Sequence, residues 1–198
     1  MRIAMFGGSF NPIHNGHIQL AKAFVNRLCL DKVLIIPTYI PPHKQKDNSV
    51  TPDQKLAMCR LAFEKLPLFE VSDIEIKRKG ASYTYMTLQE LSEIYKGDGL
   101  FLITGADMFL TIHEWKHPEI IFSLATVCGV PRNDEDIKSL QKQQDYLSAL
   151  GAKTEILDAN VMTVSSTDIR NKAKNGEDIS TLVPRAVENY IKENGLYF

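Results

Sequence analysis

The sequence predicts an α/β fold, a Rossmann-like, mainly parallel sheet with helices on both faces. Three observations point there. Short apolar runs, Ile3 to Phe6, Val33 to Ile36, Phe101 to Ile103 and Ala125 to Val130, end at Gly7-Gly8, Pro37, Thr104-Gly105 and Pro131. Stretches with helical spacing separate them. The runs are short and continuously apolar, as suits strands buried on both sides.

The elements follow in order. Residues 17 to 29 carry Ile18, Ala21, Val25 and Leu28 at helical spacing. After the second run, Thr51, Pro52 and Gln54 make a capping box with proline in the first turn. The helix it opens sets Leu56, Cys59, Phe63 and Leu66 on one face, so Cys59 reads as a small buried hydrophobe. Residues 85 to 95 and 136 to 149 are expected to be helical too. A last helix follows Pro184, presents Val187, Tyr190 and Ile191 on one face, and stops at Asn194-Gly195. In such a sheet, ligands bind beyond the carboxyl ends of the strands. The places to look are just after Phe6, Ile36, Ile103 and Val130. No linker divides the chain, so residues 1–198 are expected to form one domain, with a polar, mobile loop at 43–51.

Composition limits the classes of function. The 198 residues are 44% apolar and 24% charged, with a formal net charge of −1. No global field gathers nucleic acid or an anionic membrane. No apolar run nears 18 residues and the N-terminus lacks a signal-peptide layout, so a cytoplasmic protein is expected. Cys29, Cys59 and Cys128 are scattered and odd in number, which suggests neither a disulfide framework nor a thiolate zinc site. The oligomeric state is open between monomer and homodimer.

Phosphate binding must therefore come from a local constellation, and GGSFNPIHNGH (7–17) supplies one. Gly7 and Gly8 allow backbone amides to approach a ligand, and Ser9 and Asn11 add short polar groups. His14 and His17 lie on one side of a starting helix, where amides point outward, and so form an anion site. A parallel arrangement occurs in SSTDIR (165–170): Ser165 caps a helix with Asp168 as box partner, and Ser166 and Arg170 share a face.

The first stretch closely resembles the His/Thr-x-Gly-His signature of the nucleotidyltransferase superfamily, and SSTDIR resembles its second signature. With PPHK (41–44), SYT (82–84), GAD (105–107) and Trp115, the chain resembles the bacterial nicotinate-nucleotide adenylyltransferase family from Arg2 to the C-terminal helix. The resemblance implies the nucleotidyltransferase type of fold and transfer of AMP from ATP to nicotinate mononucleotide, giving deamido-NAD and pyrophosphate. The nicotinamide nucleotide or phosphopantetheine would be the alternative acceptor. It implies that Gly7, Gly8, Ser9 and Phe10 belong to the ATP site, with His14 and His17 on the ATP phosphates. Ser166, Thr167 and Arg170 would hold the departing pyrophosphate, and Arg170 would join the histidines as catalytic. Adenine and ribose would lie over Gly105 and Asp107, the latter also readable as a helix N-cap. Lys44 would meet the mononucleotide phosphate, and Thr84 and Trp115 the nicotinate end. Mg²⁺ would bridge the phosphates with few protein ligands and no dedicated metal site. The chain departs from the pattern at Asn11, where aspartate is common, and at VPRNDED (130–136), so Arg132 carries over poorly as an adenine-side contact.

Two rivals are weighed against this. HEWKH (113–117) spells the zinc-peptidase motif, which needs both imidazoles on one helical face and a third ligand. Pro118 disfavours helical geometry at His117, and no histidine follows, leaving only a carboxylate such as Glu135. An exposed turn without metal is expected, with Trp115 as its functional residue. A module that bound nucleotide without chemistry would need neither the paired imidazoles nor Arg170.

Overall fold

The computed structural model describes residues 1–42, 50–131, 134–157, 159, 162 and 164–198, the side chains of 134 and 135 excepted. The four apolar runs are strands: β1 (Arg2–Gly8), β2 (Lys32–Pro37), β4 (Gly99–Ile103) and β5 (Ala125–Gly129). Two three-residue strands, β3 (Phe69–Val71) and β6 (Thr154–Ile156), complete the sheet. The order is β3-β2-β1-β4-β5-β6 and every neighbouring pair is parallel. The chain builds outward from β1 in one direction and from β4 in the other, which puts the switch point between them.

Helices cover both faces. They are α1 (Asn15–Leu28), α2 (Pro52–Phe63), α3 (Ile74–Arg78), α4 (Thr84–Ile94), α5 (Ala106–Thr111), α6 (Pro118–Leu124), α7 (Asp134–Ala149), α8 (Ser166–Lys174) and α9 (Arg185–Glu193). The expected boundaries shift by one or two residues, except that α2 stops at Phe63 and leaves Leu66 beyond it. The helix expected at 17–29 begins at Asn15 because His14 is its N-cap, and it stops before Cys29, which turns left-handed at φ 47. The Thr51–Gln54 capping box forms as expected.

Alternate strand residues feed two cores. Ala4 and Phe6, Val33 and Ile35, and Phe101 and Ile103 face α1, α2, α8 and α9. Ile3 and Met5, Leu34 and Ile36, and Leu100 and Leu102 face α4, α5, α6 and α7. This is why the strands read as continuous apolar runs. Cys59 sits in the first core at 0% exposure, where burial pushes its thiol pKa up. Among the described residues no helix is long and apolar enough to cross a membrane.

The C-terminal helix α9 closes the first core against α2, with Val187 and Ile191 fully buried. Ile191→Ala is expected to cost about 2–5 kcal/mol of folding free energy in urea titration, through lost burial plus a cavity. Asn189→Ala, on the exposed side of the same helix, should stay within about 0.5 kcal/mol of wild type.

Candidate active site

A cavity of about 990 Å³ opens where the carboxyl ends of four strands meet. Ser9 follows β1, Tyr39 follows β2, Gly105 follows β4 and Pro131 follows β5, and all four line it. These are the positions that the sheet rule selects.

His14 and His17 close the N-terminus of α1 by capping each other. The His17 amide donates to Nδ1 of His14, and the His14 amide donates to Nδ1 of His17, each at 3.3 Å. The rings stack with centroids 3.6 Å apart. Since both Nδ1 atoms accept, the proton of each neutral ring sits on Nε2, which leaves two Nε2–H donors in rings that line the cavity. Burial lowers the His14 pKa to about 4, so this imidazole is neutral at neutral pH. Two charges that close would repel by roughly 4 kcal/mol even at an effective dielectric of 20. At the anion site expected from the sequence, the structure provides a buried neutral imidazole stacked on its partner.

The glycines of the motif make room for this. A Cβ on Gly16 would come within 2.8 Å of the Met162 carbonyl and 3.2 Å of the His14 ring. A Cβ on Gly8 would meet the Phe10 ring at 2.9 Å. Phe10 is itself buried and stands edge-on to His17, centroids 5.1 Å apart. Phe10 thus supports His17 from below and does not line the cavity, and Gly7 and Gly8 are the last two residues of β1. Of the four residues expected in the ATP loop, only Ser9 reaches the cavity surface.

The second motif docks on the first. Ser165 caps α8 by accepting from the amides of Thr167 and Asp168 at 3.1 and 3.4 Å. Ser166 Oγ donates to the Pro12 carbonyl at 3.0 Å, and Arg170 Nη1 donates to the Asn11 carbonyl at 2.8 Å. Arg170 Nη2 also reaches Thr167 Oγ1 at 3.2 Å. The Asn11 side chain takes a 2.6 Å bond from the Tyr197 hydroxyl. Here the amide of Asn11 has a specific task, to anchor the C-terminal segment. The N-termini of α1 and α8 therefore share one cavity with Ser166, Thr167 and Arg170 in its wall.

Other expected residues are placed differently. Gly105 is the N-cap of α5 and Asp107 lies in its first turn, so Asp107 is not the N-cap; its carboxylate is exposed at the cavity wall. Lys44 and Arg132, and most of the loop 43–51, lie outside the described residues. Thr84 is the first residue of α4, and neither it nor Trp115 lines the cavity. Trp115 is half-buried against the second core. The two segments do meet: the Lys116 ammonium lies 4.4 Å over Tyr83, and His117 stands edge-on to Tyr85 at 4.7 Å.

The zinc-peptidase geometry does not form. His113 lies in a short 3-10 turn (Ile112–Glu114) and pairs with Gln143 at 2.9 Å. His117, at φ 53, starts α6 and pairs with Glu119 at 3.1 Å. His113 is also half-buried, not exposed as expected. A charged cavity residue also carries no motif in the sequence. Lys55 is 6% exposed, lines the cavity and donates to the Thr38 carbonyl. Its signal was its place four residues before the buried Cys59, on the same helical face.

The chain matches the cytidylyltransferase-like family model over residues 5–172, from β1 into α8. It is 40% identical over 195 residues to a Clostridium tetani protein named probable nicotinate-nucleotide adenylyltransferase, the alignment covering 98% of each chain. A Desulfitobacterium hafniense protein of the same name is 39% identical, with 99% of this chain and 95% of that one covered. In fold the chain is similar to Plasmodium falciparum nicotinic acid mononucleotide adenylyltransferase complexed with NaAD, at a TM-score of 0.76 and 15% identity, covering 99% and 97% of the two chains. With two signatures joined in one cavity and relatives of one name along its whole length, the chain belongs to the nicotinate-nucleotide adenylyltransferase family.

Proposed function

We propose that this cavity joins ATP and nicotinate mononucleotide, transferring AMP to give deamido-NAD and pyrophosphate. The observation that carries the reading is the mutual capping of His14 and His17 at a helix N-terminus onto which Ser166 and Arg170 latch a second. The relatives' names supply the acceptor.

The acceptor's phosphate oxygen attacks the α-phosphorus of ATP, the bond to the β-phosphate bridging oxygen breaks, and pyrophosphate leaves with that electron pair. A phosphate is already anionic at neutral pH, so the protein needs no strong base. What remains is alignment and stabilisation of charge as it moves from nucleophile to leaving group. The Nε2–H groups of His14 and His17 donate to the α-phosphate, where charge gathers. Thr167, Arg170 and the positive end of the α8 dipole receive the pyrophosphate. Asp107 offers acceptor oxygens to the ribose hydroxyls. The described cavity wall contains one carboxylate, Asp107, so a Mg²⁺ brought in with ATP would find a single acidic side chain to hold it. When bound, that ion neutralises phosphate charge.

Pyrophosphate release measured with ATP and each of three acceptors tests the assignment. Nicotinate mononucleotide should give the highest kcat/KM, ahead of its amide and of phosphopantetheine; a preference for phosphopantetheine would overturn it. His17→Ala should lower kcat about 10²–10³-fold, the usual loss for one transition-state donor, with ATP affinity nearly unchanged in calorimetry. Turnover at the wild-type rate would contradict the role.

Burial holds the His14 pKa near 4, below the 6.5 of an unfolded histidine. As pH falls, the unfolded chain takes up this proton first. The stability that neutral His14 contributes is complete above pH 6.5 and is lost between pH 6.5 and 4. Between pH 7 and 4.5 the loss amounts to about 2 kcal/mol. His14→Asn retains a capping acceptor, so urea unfolding of this variant should lack that part of the pH dependence.

A further inference from the structure

A buried polar cluster lies behind the Tyr39 side of the cavity, and the chemistry above does not use it. Glu75 of α3 is 3% exposed and accepts a 2.7 Å bond from the Thr87 hydroxyl of α4. Arg78 Nη2 donates to that same hydroxyl at 2.9 Å, and Nη1 donates to Glu90 at 2.7 Å. The Arg78 guanidinium stands 3.8 Å from Glu75. With Arg78 as its donor, the single hydroxyl proton of Thr87 goes to Glu75. These bonds clamp α3 onto α4 and so fix both ends of the turn between them, residues 79–83. The turn itself is tight, with Lys79 and Gly80 both left-handed at φ 61 and 74.

The turn carries the clamp to the cavity. Ala81 bridges to Ile40, and the Ser82 amide donates to the Ile40 carbonyl at 2.9 Å. Ser82 Oγ accepts from the Tyr39 amide, also at 2.9 Å. Tyr39, Ile40 and Pro41 line the cavity. Burial pushes the Glu75 pKa up, and the Thr87 and Ser82 hydroxyls and the Arg78 guanidinium oppose that rise without closing a bond to Oε2. Among the described residues Glu75 Oε2 and Arg78 Nε complete no hydrogen bond. A buried carboxyl held so incompletely is costly, and packing two helices together does not require one.

The position of this wall indicates what it serves. Asp107, which follows β4, meets the ribose in the proposed reaction, and that puts the nucleoside of ATP on the β4–β5 half of the sheet. The β2 half, walled by residues 39–41, is left for the acceptor. We infer that Glu75 is a positioning residue for the acceptor mononucleotide: through the clamped turn and Ser82 it holds the Tyr39–Pro41 wall in place. The inference rests on the reading that this cavity takes ATP and a mononucleotide.

Steady-state kinetics with both substrates varied, on wild type, Glu75→Ala, Ser82→Ala and Glu75→Gln, test it. Glu75→Ala and Ser82→Ala should each raise KM for nicotinate mononucleotide about tenfold, with kcat and KM for ATP within about threefold of wild type. Glu75→Gln keeps an oxygen for the Thr87 hydroxyl and should return the acceptor KM to within about threefold of wild type. An unchanged acceptor KM, a joint rise of both KM values, or a glutamine variant as impaired as the alanine one would overturn the inference. Should Glu75→Ala fail to fold, Ser82→Ala decides, since it removes the hydroxyl that holds the Tyr39 amide and faces Glu75. A wild type that does not use nicotinate mononucleotide would instead overturn the functional reading, and that assay comes first.

Discussion

The His14 amide donates to the imidazole of His17, and the His17 amide returns a bond to the imidazole of His14. Helix N-termini are usually capped by short oxygen side chains, so two imidazoles in that role join folding to function. The pair fixes the first turn of α1 and the tautomer of both rings. The loop that leads into it is then held from three directions. Ser166 and Arg170 bind the carbonyls of Pro12 and Asn11, Tyr197 takes the Asn11 side chain, and Asn15 bonds to the Thr181 and Leu182 carbonyls. Residues far apart in sequence converge on half a dozen residues of one loop.

This arrangement changes the electrostatic picture of the site. A pair of imidazolium ions would attract a triphosphate strongly, but burial and ring stacking oppose charging. In the proposed reaction the attraction would fall to the guanidinium of Arg170, the Lys55 ammonium and the positive dipole ends of α1 and α8. In the proposed reaction the imidazoles would supply oriented donors that need no reorganisation when charge moves through the transition state. Division of labour between binding charge and chemical donors follows from burial of one ring.

Much of this was legible in the sequence. The four interior strands were visible because both their faces are buried, which removes polar alternation and leaves glycine or proline to mark the ends. The edge strands Phe69–Val71 and Thr154–Ile156 were not, because three residues carry no measurable period. His14, His17, Ser166, Thr167 and Arg170 were found by spacing and by resemblance, and the cavity gathers all five. Their charge state was hidden, since it depends on burial that only the tertiary fold creates. Trp115 was expected at the nicotinate end, and in the fold it follows a 3-10 turn and packs against the second core. Lys55 was passed over because a lysine among helical polar residues looks solvated, and Glu75 was passed over for the same reason.

The central claim is that the paired histidines act as neutral Nε2–H donors. Nitrogen-15 NMR of the imidazoles across a pH titration reads both tautomer and charge. The account predicts Nε2–H tautomers for His14 and His17 at pH 7, and a His14 midpoint near pH 4. An imidazolium at His14 at neutral pH, or an Nδ1–H tautomer at either ring, would contradict it.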